Sequence, residues 1–352
     1  MAQIDKLLLQ MKKNDASDLF MHVGQRPKYS IHGEVVDITE HPVLTMESMG
    51  AYLFEIIRED QKQTYIDNLD FDFAYGIPGE ARFRVNYFFQ RTGYGSVMRI
   101  IPDTIMTLEQ LNLPQILTKF TKLRDGLVLV TGPTGSGKST TLAAMIDFIN
   151  DGHRRHILTI EDPVEFVHQN KNCIISHREV HNHTQSFAVA LRASTRQDAD
   201  VVLVGELRDV ETMGLALSAS SMGTLVYGTL HTNNAPKTID RVIDVFPTDQ
   251  QAQIRTMLGE SLRGIVAQQL LKKVGGGRVA VNEILVGSSA VANMIREGKI
   301  DRIMSVIQAG RSEGMQAMDD ELEKKVKEGI VTGEDAYMKS IDKKRFEQYA
   351  EL

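Results

Sequence analysis

Cysteine is nearly absent: Cys173 stands alone in 352 residues. A single thiol excludes an internal disulfide and any cysteine-based zinc cluster, and it fits a reducing compartment. Long apolar runs are also missing, since no uninterrupted stretch approaches the roughly 18 residues that a membrane span needs. The opening stretch, MAQIDKLLLQMKKNDASDLFMHVGQRPKYS, lacks the basic start, continuous apolar core and small-residue cleavage site of a secretion signal. Synthesis and residence in the cytoplasm are expected. Lys and Arg never form a block longer than three, and the formal net charge is −6. Electrostatic nucleic-acid binding is therefore not the expected task.

What is present is enough apolar material, 42% of residues, for ordinary cores in about two domains. Residues 1–112 mix helical spacing (TMESMGAYLFEIIREDQKQTYIDN) with alternating strands (PKYSIHGEVVDI and DFDFAYGIPGEARFRVNYFFQRTGYGSVMRIIP), which predicts a smaller α+β domain. Residues 113–125 read as a linker. From 126 to 352 the pattern changes. GLVLV, HILTI, CIIS, DVVLV and TLVYGTL are short buried-strand runs, and amphipathic segments at 139–150, 184–195 and 210–221 fall between most of them. That alternation predicts an α/β domain with a mainly parallel sheet covered on both faces. Beyond about 248 the chain reads as mostly helical, interrupted by a hairpin at VGGGRVAVNEILVG.

The chemistry is fixed by Gly132-Pro133-Thr134-Gly135-Ser136-Gly137-Lys138-Ser139, a G-x-x-x-x-G-K-S string between an apolar strand and a helix that begins with Thr140 in its first turn. Glycines let backbone N–H groups curl round phosphate oxygens, the helix N-terminus adds positive potential, Lys138 reaches the outer phosphates, and Ser139 offers its hydroxyl to Mg²⁺. ATP and Mg²⁺ are the expected ligands. Hydrolysis also needs acidic groups. Glu161, Asp162 and Glu165 follow the HILTI strand, and Glu206 follows DVVLVG, at the strand ends where open α/β sheets bind ligands. Gly205 occupies the place where many P-loop enzymes carry a metal-holding Asp, so Ser139, Glu161 and Asp162 are the candidate metal contacts and Glu206 the candidate for polarising water. In GTLVYGTLHTNN a strand ends at His231, and Thr232-Asn233-Asn234 reads as a turn or helix cap.

With these stretches placed, the chain resembles the secretion ATPase superfamily, and within it the PilT-like type IV pilus retraction ATPases. LVTGPTGSGKSTTLAAMIDFIN matches the Walker A motif, HILTIEDPVEFVH the Asp box, DVVLVGELRDVET the Walker B motif and GTLHTNNAPKTIDRVIDVFP the His box. The resemblance covers nearly the whole chain. It implies a RecA-like P-loop domain preceded by a PAS-like N-terminal domain, assembled as a homohexameric ring that hydrolyses ATP to power pilus retraction. Its catalytic set is Glu206, Glu165, His231, Arg84 (in FRVN) and Arg99 (in MRIIP). The implied partners are an inner-membrane pilus platform protein and, indirectly, pilin, with the ring cytoplasmic and peripheral at that membrane. Two places depart from the family pattern: SSAVANMIREGKI keeps only the end of the usual retraction signature, and Thr224 stands where a second histidine is usual. An accessory retraction paralogue is thus the nearest alternative. A pilus assembly or type II secretion ATPase would be longer and carry a four-cysteine zinc motif, and a nucleic-acid motor would carry a basic, aromatic-interleaved loop.

Other conspicuous residues have plainer readings. His177, His181 and His183 lack the spacing of a metal set. Arg82 reads as a solvated strand arginine, Met213 and Met222 as core, and DDELEKKVKEG as a solvated, salt-bridged helix face.

Overall fold

A computed structural model describes residues 2–31, 34–101 and 104–350. Two compact units emerge: Met1–Thr104 together with Asp162–Val167, and Ile105–Glu161 together with His168–Leu352. His32, Gly33 and Pro102 of the strand readings lie outside the described residues.

In the first unit, α1 (Gln3–Lys13), α2 (Met46–Phe54) and α3 (Glu59–Asn68) accompany six strands: β1 (Ala16–His22), β2 (Lys28–Ile31), β3 (Glu34–Asp37), β4 (Asp70–Ile77), β5 (Ala81–Gln90) and β6 (Gly93–Ile101). They form one antiparallel sheet in the order β3-β2-β1-β6-β5-β4. Period-two alternation in β5 buries Ala81, Phe83, Val85 and Tyr87 against Leu7, Leu8, Leu19 and Met98, and turns Arg82, Arg84 and Asn86 to the other face.

The second unit runs α4 (Ile116–Thr121), β7 (Gly126–Thr131), α5 (Lys138–Gly152), β8 (His156–Glu161), β9 (Ile174–Glu179), α6 (Phe187–Ser194), β10 (Val201–Val204), α7 (Val210–Ser221), β11 (Leu225–Leu230), α8 (Ala235–Asp244), α9 (Gln251–Ser261), β12 (Leu262–Lys272), β13 (Arg278–Val286), α10 (Ser289–Arg296), α11 (Ile303–Ala309), α12 (Met318–Lys327) and α13 (Gly333–Lys339). The sheet order is β13-β12-β7-β11-β10-β8-β9, parallel except for β13 against β12.

Strand alternation sorts the apolar residues of the central strands onto two faces. Leu127, Leu129, Val202 and Val204 pack with Met213, Ala216, Ile239 and Val242 of α7 and α8, whereas Val128, Val130, Leu203 and Tyr227 pack with Leu117, Leu142, Met145 and Ile149 of α4 and α5. Each such buried side chain contributes roughly 1.5–3 kcal/mol. A sheet covered on both faces leaves its strand ends as the place where polar side chains can gather.

Three expectations need correction. Leu262–Lys272, within the stretch read as helical, is a full strand, so the hairpin at 274–287 is only the turn and second strand of a longer one. Met222 is not core: it follows α7 and is 74% exposed, while Met213 is fully buried. In α12 the Lys325–Glu321 pair is largely buried, and Asp319 accepts the Ile341 and Asp342 amides at 2.8 Å, so that face holds the C-terminal segment.

Candidate nucleotide site

β7, wholly buried, delivers the chain to Gly132, and α5 starts at Lys138. Gly132 has φ of 145° and its backbone passes so close to β12 that a Cβ would lie 2.2 Å from the Gln268 carbonyl oxygen. Gly137, the residue before α5, has φ of 84°. Both positions therefore demand glycine. Pro133, Thr134 and Gly135 are exposed, Ser136 is buried, and Lys138, Ser139 and Thr140 are half-buried at the first turn of α5. Lys138 Nζ donates to the carbonyls of Gly132 (2.8 Å) and Pro133 (3.1 Å), which holds its charge over the loop.

Sequence reasoning missed the residue behind this loop. Gln268 of β12 is buried, donates through Nε2 to the Ser136 carbonyl at 2.6 Å, and accepts from Thr141 Oγ1 at 2.8 Å and Asn282 Nδ2 at 3.0 Å. One amide thus ties the loop, the first turn of α5 and β13 together, with its polar atoms satisfied as burial requires. The adjacent Gln-Gln pair in an apolar segment was the only signal.

Because β8, β10, β11 and β7 are parallel neighbours, Glu161, Glu206, His231 and the phosphate-type loop all follow carboxyl ends on one sheet edge. Glu161 ends β8 half-buried, and Asp162 beyond it is exposed. The β8 and β10 ends run close: Gly205 N–H donates to the Ile160 carbonyl at 2.8 Å, and a Cβ at 205 would meet that oxygen at 3.3 Å and Glu161 Cα at 3.4 Å. A Cβ at 205 would ask the Ile160 carbonyl to give by a few tenths of an ångström, so the fit favours glycine without requiring it.

Glu206 is held on both sides. The Thr229 hydroxyl donates to the Gly205 carbonyl, and the Leu207 amide donates to the Thr229 carbonyl at 3.0 Å, fixing Glu206 between them against β11. Its Oε2 lies 2.7 Å from Arg208 Nη2 and its Oε1 3.2 Å from His231 Nε2. Burial pushes its pKa up, but the Arg208 guanidinium and His231 outweigh burial and hold it below the usual range. The carboxylate is ionised at neutral pH and keeps a histidine within hydrogen-bond reach. His231 itself is exposed, and the turn after it ends at Asn234, whose Oδ1 accepts the Lys237 amide at 2.9 Å and caps α8.

The first unit carries its own charged row. Arg84 of β5 and Arg99 of β6 are direct cross-strand partners, and Arg99 is opposite Asp18 of β1. Arg99 Nε donates to Asp18 Oδ1 at 2.7 Å, and Arg84 Nη1 lies 3.7 Å from Glu165 Oε1. Two arginines directly opposite repel each other unless anions sit beside them. The structure therefore joins Glu206 to His231 and Arg84 to Glu165, and gives Arg99 to Asp18, a residue sequence reasoning did not single out. Arg82 is half-buried rather than solvated, with Nη1 enclosed. His177 Nδ1 pairs with Thr159 Oγ1 at 2.8 Å and His183 Nδ1 accepts the Glu179 amide at 3.0 Å, so these rings serve the β8–β9 region separately.

Comparison with known proteins gives the family of the chain. The model for the family described as "Type II/IV secretion system protein" matches residues 1–339. The type IV pilus retraction ATPase PilT of Pseudomonas aeruginosa is 48% identical over 96% of this chain and 98% of its own length. A twitching motility protein of Neisseria gonorrhoeae is 50% identical, covering 88% of this chain and 83% of its own. Among solved structures, the pilus retraction motor PilT with bound ADP superposes with a TM-score of 0.90 at 41% identity and covers 99% of both chains.

Proposed function

The chain belongs to the type II/IV secretion system protein family, and from its likeness over most of its length to pilus retraction ATPases we propose that it hydrolyses ATP to power type IV pilus retraction and, through it, twitching motility. The observation that carries the reading is the ionised Glu206 paired with His231 at the strand edge that also bears the Lys138 loop. A phosphate-binding loop alone binds nucleotide. Hydrolysis needs a charged, positioned carboxylate as well, and Glu206 supplies it.

The backbone amides of 132–137 and the first turn of α5 receive the phosphates, and Lys138 exchanges its two loop carbonyls for phosphate oxygens. Glu206 accepts a hydrogen bond from the attacking water and orients it. His231, bonded to Glu206, senses the outer phosphate and passes its state to α8. A magnesium ion would find a hydroxyl at Ser139 in the first turn of α5 and a carboxylate at Glu161, which ends β8. Such a site suits an ion held mainly by substrate phosphates, whose contribution is to offset phosphate charge. Arg84 and Arg99, neighbours across β5 and β6, would exchange their carboxylate partners for phosphate oxygens of a neighbouring copy's nucleotide in a homohexameric ring. The motor works from the cytoplasm on an inner-membrane platform protein and, through it, on pilin. Among the described residues no helix is long and apolar enough to cross a membrane.

Glu206→Gln should bind ATP with an affinity within about threefold of the unaltered protein and lose roughly 10²- to 10⁴-fold in kcat, the usual range for a lost acid–base group. Chelating magnesium should abolish hydrolysis in both. Turnover by E206Q at the unaltered rate would remove Glu206 from this role.

A further inference from the structure

Glu283 is fully buried, and among the described residues no carboxylate is more enclosed. It sits in β13 opposite Ala267 of β12, next to Asn282, which bonds Gln268 behind the phosphate-type loop. Its Oε1 accepts the Ala235 amide at 2.7 Å. Among the described residues its Oε2 makes no hydrogen bond of good geometry, and the Met318 amide acts on the carboxylate only weakly. Ala235 is the first residue of α8 and stands four residues after His231.

The turn between them is pinned from both sides. Upstream, β11 is locked between β7 and β10. Downstream, Thr232 Oγ1 lies 2.7 Å from Thr238 Oγ1, the Thr238 hydroxyl donates to the Asn234 carbonyl at 2.7 Å, and Asn234 caps the helix. Asn234 already accepts the Lys237 amide, so the cap does not require an acidic group. A glutamine could also accept the Ala235 N–H without the penalty of burying a charge. A carboxylate in this place does what a neutral acceptor cannot: its bond is charge-assisted and is strengthened by the positive end of α8.

We propose that Glu283 is a positioning residue for the hydrolytic pair: from β13 its carboxylate holds the start of α8, sets the turn at 231–234, and so fixes how His231 meets Glu206. The catalytic consequence rests on the ATPase reading above; the positioning itself does not.

Burial pushes the Glu283 pKa up to about 7, the Ala235 and Met318 amides pull it back, and Asp319 of α12 raises it further. From the other elements packed on β13 the charged neighbours are few. α11 (IMSVIQA) has no ionisable side chain. In α8 the buried stripe is Ala235, Thr238, Ile239, Val242 and Ile243, with Lys237, Asp240 and Arg241 exposed. β12 presents Ala267 and its uncharged neighbours, with Arg263 and Lys272 toward its ends. The charge on Glu283 is therefore gained and lost near neutrality, and the grip on α8 follows it.

The test follows hydrogen exchange of peptides containing Ala235 at pH 6 and pH 8 by mass spectrometry, corrected for intrinsic rates, alongside kcat and KM for ATP over the same range, on the full chain and on Glu283→Gln. Exchange through local opening of the start of α8, with Glu283 still buried in β13, should be about tenfold better protected at pH 8 than at pH 6 in the unaltered protein, the difference between a charged and a neutral acceptor, whereas global unfolding follows the opposite slope. E283Q should show the pH 6 level throughout. The kcat inflection near pH 7 should vanish in E283Q while KM changes by less than about twofold, because the phosphate-type loop is held by Gln268; a role confined to stability would leave the kcat profile intact. Protection of the unaltered protein that does not vary with pH, or a wild-type inflection retained in E283Q, would overturn the proposal. A pH-dependent exchange step in a chain that does not hydrolyse ATP would support the positioning and overturn the ATPase reading instead.

Discussion

A carboxylate that orients water must stay ionised, and one that senses its surroundings must not be held too firmly. Glu206 and Glu283 sit at these two ends. Arg208 and His231 overcome burial at Glu206 and keep it charged well below neutral pH. At Glu283 burial wins, and the pKa rises from the ordinary 4.5 to about 7. The sign of the stability effect follows. Between those two values the folded chain binds a proton that the unfolded chain has released, so stability falls as pH rises through the window. At roughly 1.4 kcal/mol per unit, Glu283 costs on the order of 3 kcal/mol above pH 7 relative to below 4.5. Denaturant unfolding of E283Q should therefore lose that downward slope and exceed the unaltered protein at pH 8. A slope unchanged by the substitution would show that Glu283 does not carry the proton. The arginine row follows a related logic, since Asp18 and Glu165 offset a repulsion between Arg84 and Arg99 that serves no structural end of its own.

Among the elements, the strand that matters most to the site was the least visible. β7, β8, β10 and β11 were legible because each is a short run of apolar residues buried on both faces, and α7 was legible because Val210–Ser221 repeats at helical spacing. The loop, the acidic residues and His231 followed from their places at the ends of those strands. β12 was not legible. LRGIVAQQLLK carries two glutamines where a strand buried on both faces should be apolar, and it follows α9 without a break, so its period looks helical. Gln268 stays polar because the back of the phosphate-type loop needs a donor and an acceptor there, and Gln269 because it donates to the Lys339 carbonyl at 3.2 Å, requirements that exist only after folding. Asp18 and Glu283 were hidden for the same reason, since their partners are 81 and 48 residues away. Gln268→Leu keeps the volume and leaves the Ser136 carbonyl, the Thr141 hydroxyl and the Asn282 amide unpaired, at about 1–3 kcal/mol each. Calorimetry should show a lower Tm, and KM for ATP should rise about tenfold through the loosened loop. An unchanged KM would reduce Gln268 to packing.

At the scale of the whole molecule, one unit bears the phosphate-type loop with Glu206 and His231, the other bears Arg84 and Arg99, and the proposed motor uses both. Motion requires that hydrolysis at the first kind of site be felt by copies of the second, so a hydrolysis-dead chain should assemble and bind nucleotide yet do no work. The central claim is that turnover at Glu206 drives pilus retraction. The most direct measurement replaces the chromosomal gene with the E206Q form and scores surface pili by electron microscopy together with twitching on agar. Abundant pili with no twitching is the predicted result. Normal pilus number with normal twitching, or an absence of pili, would contradict it.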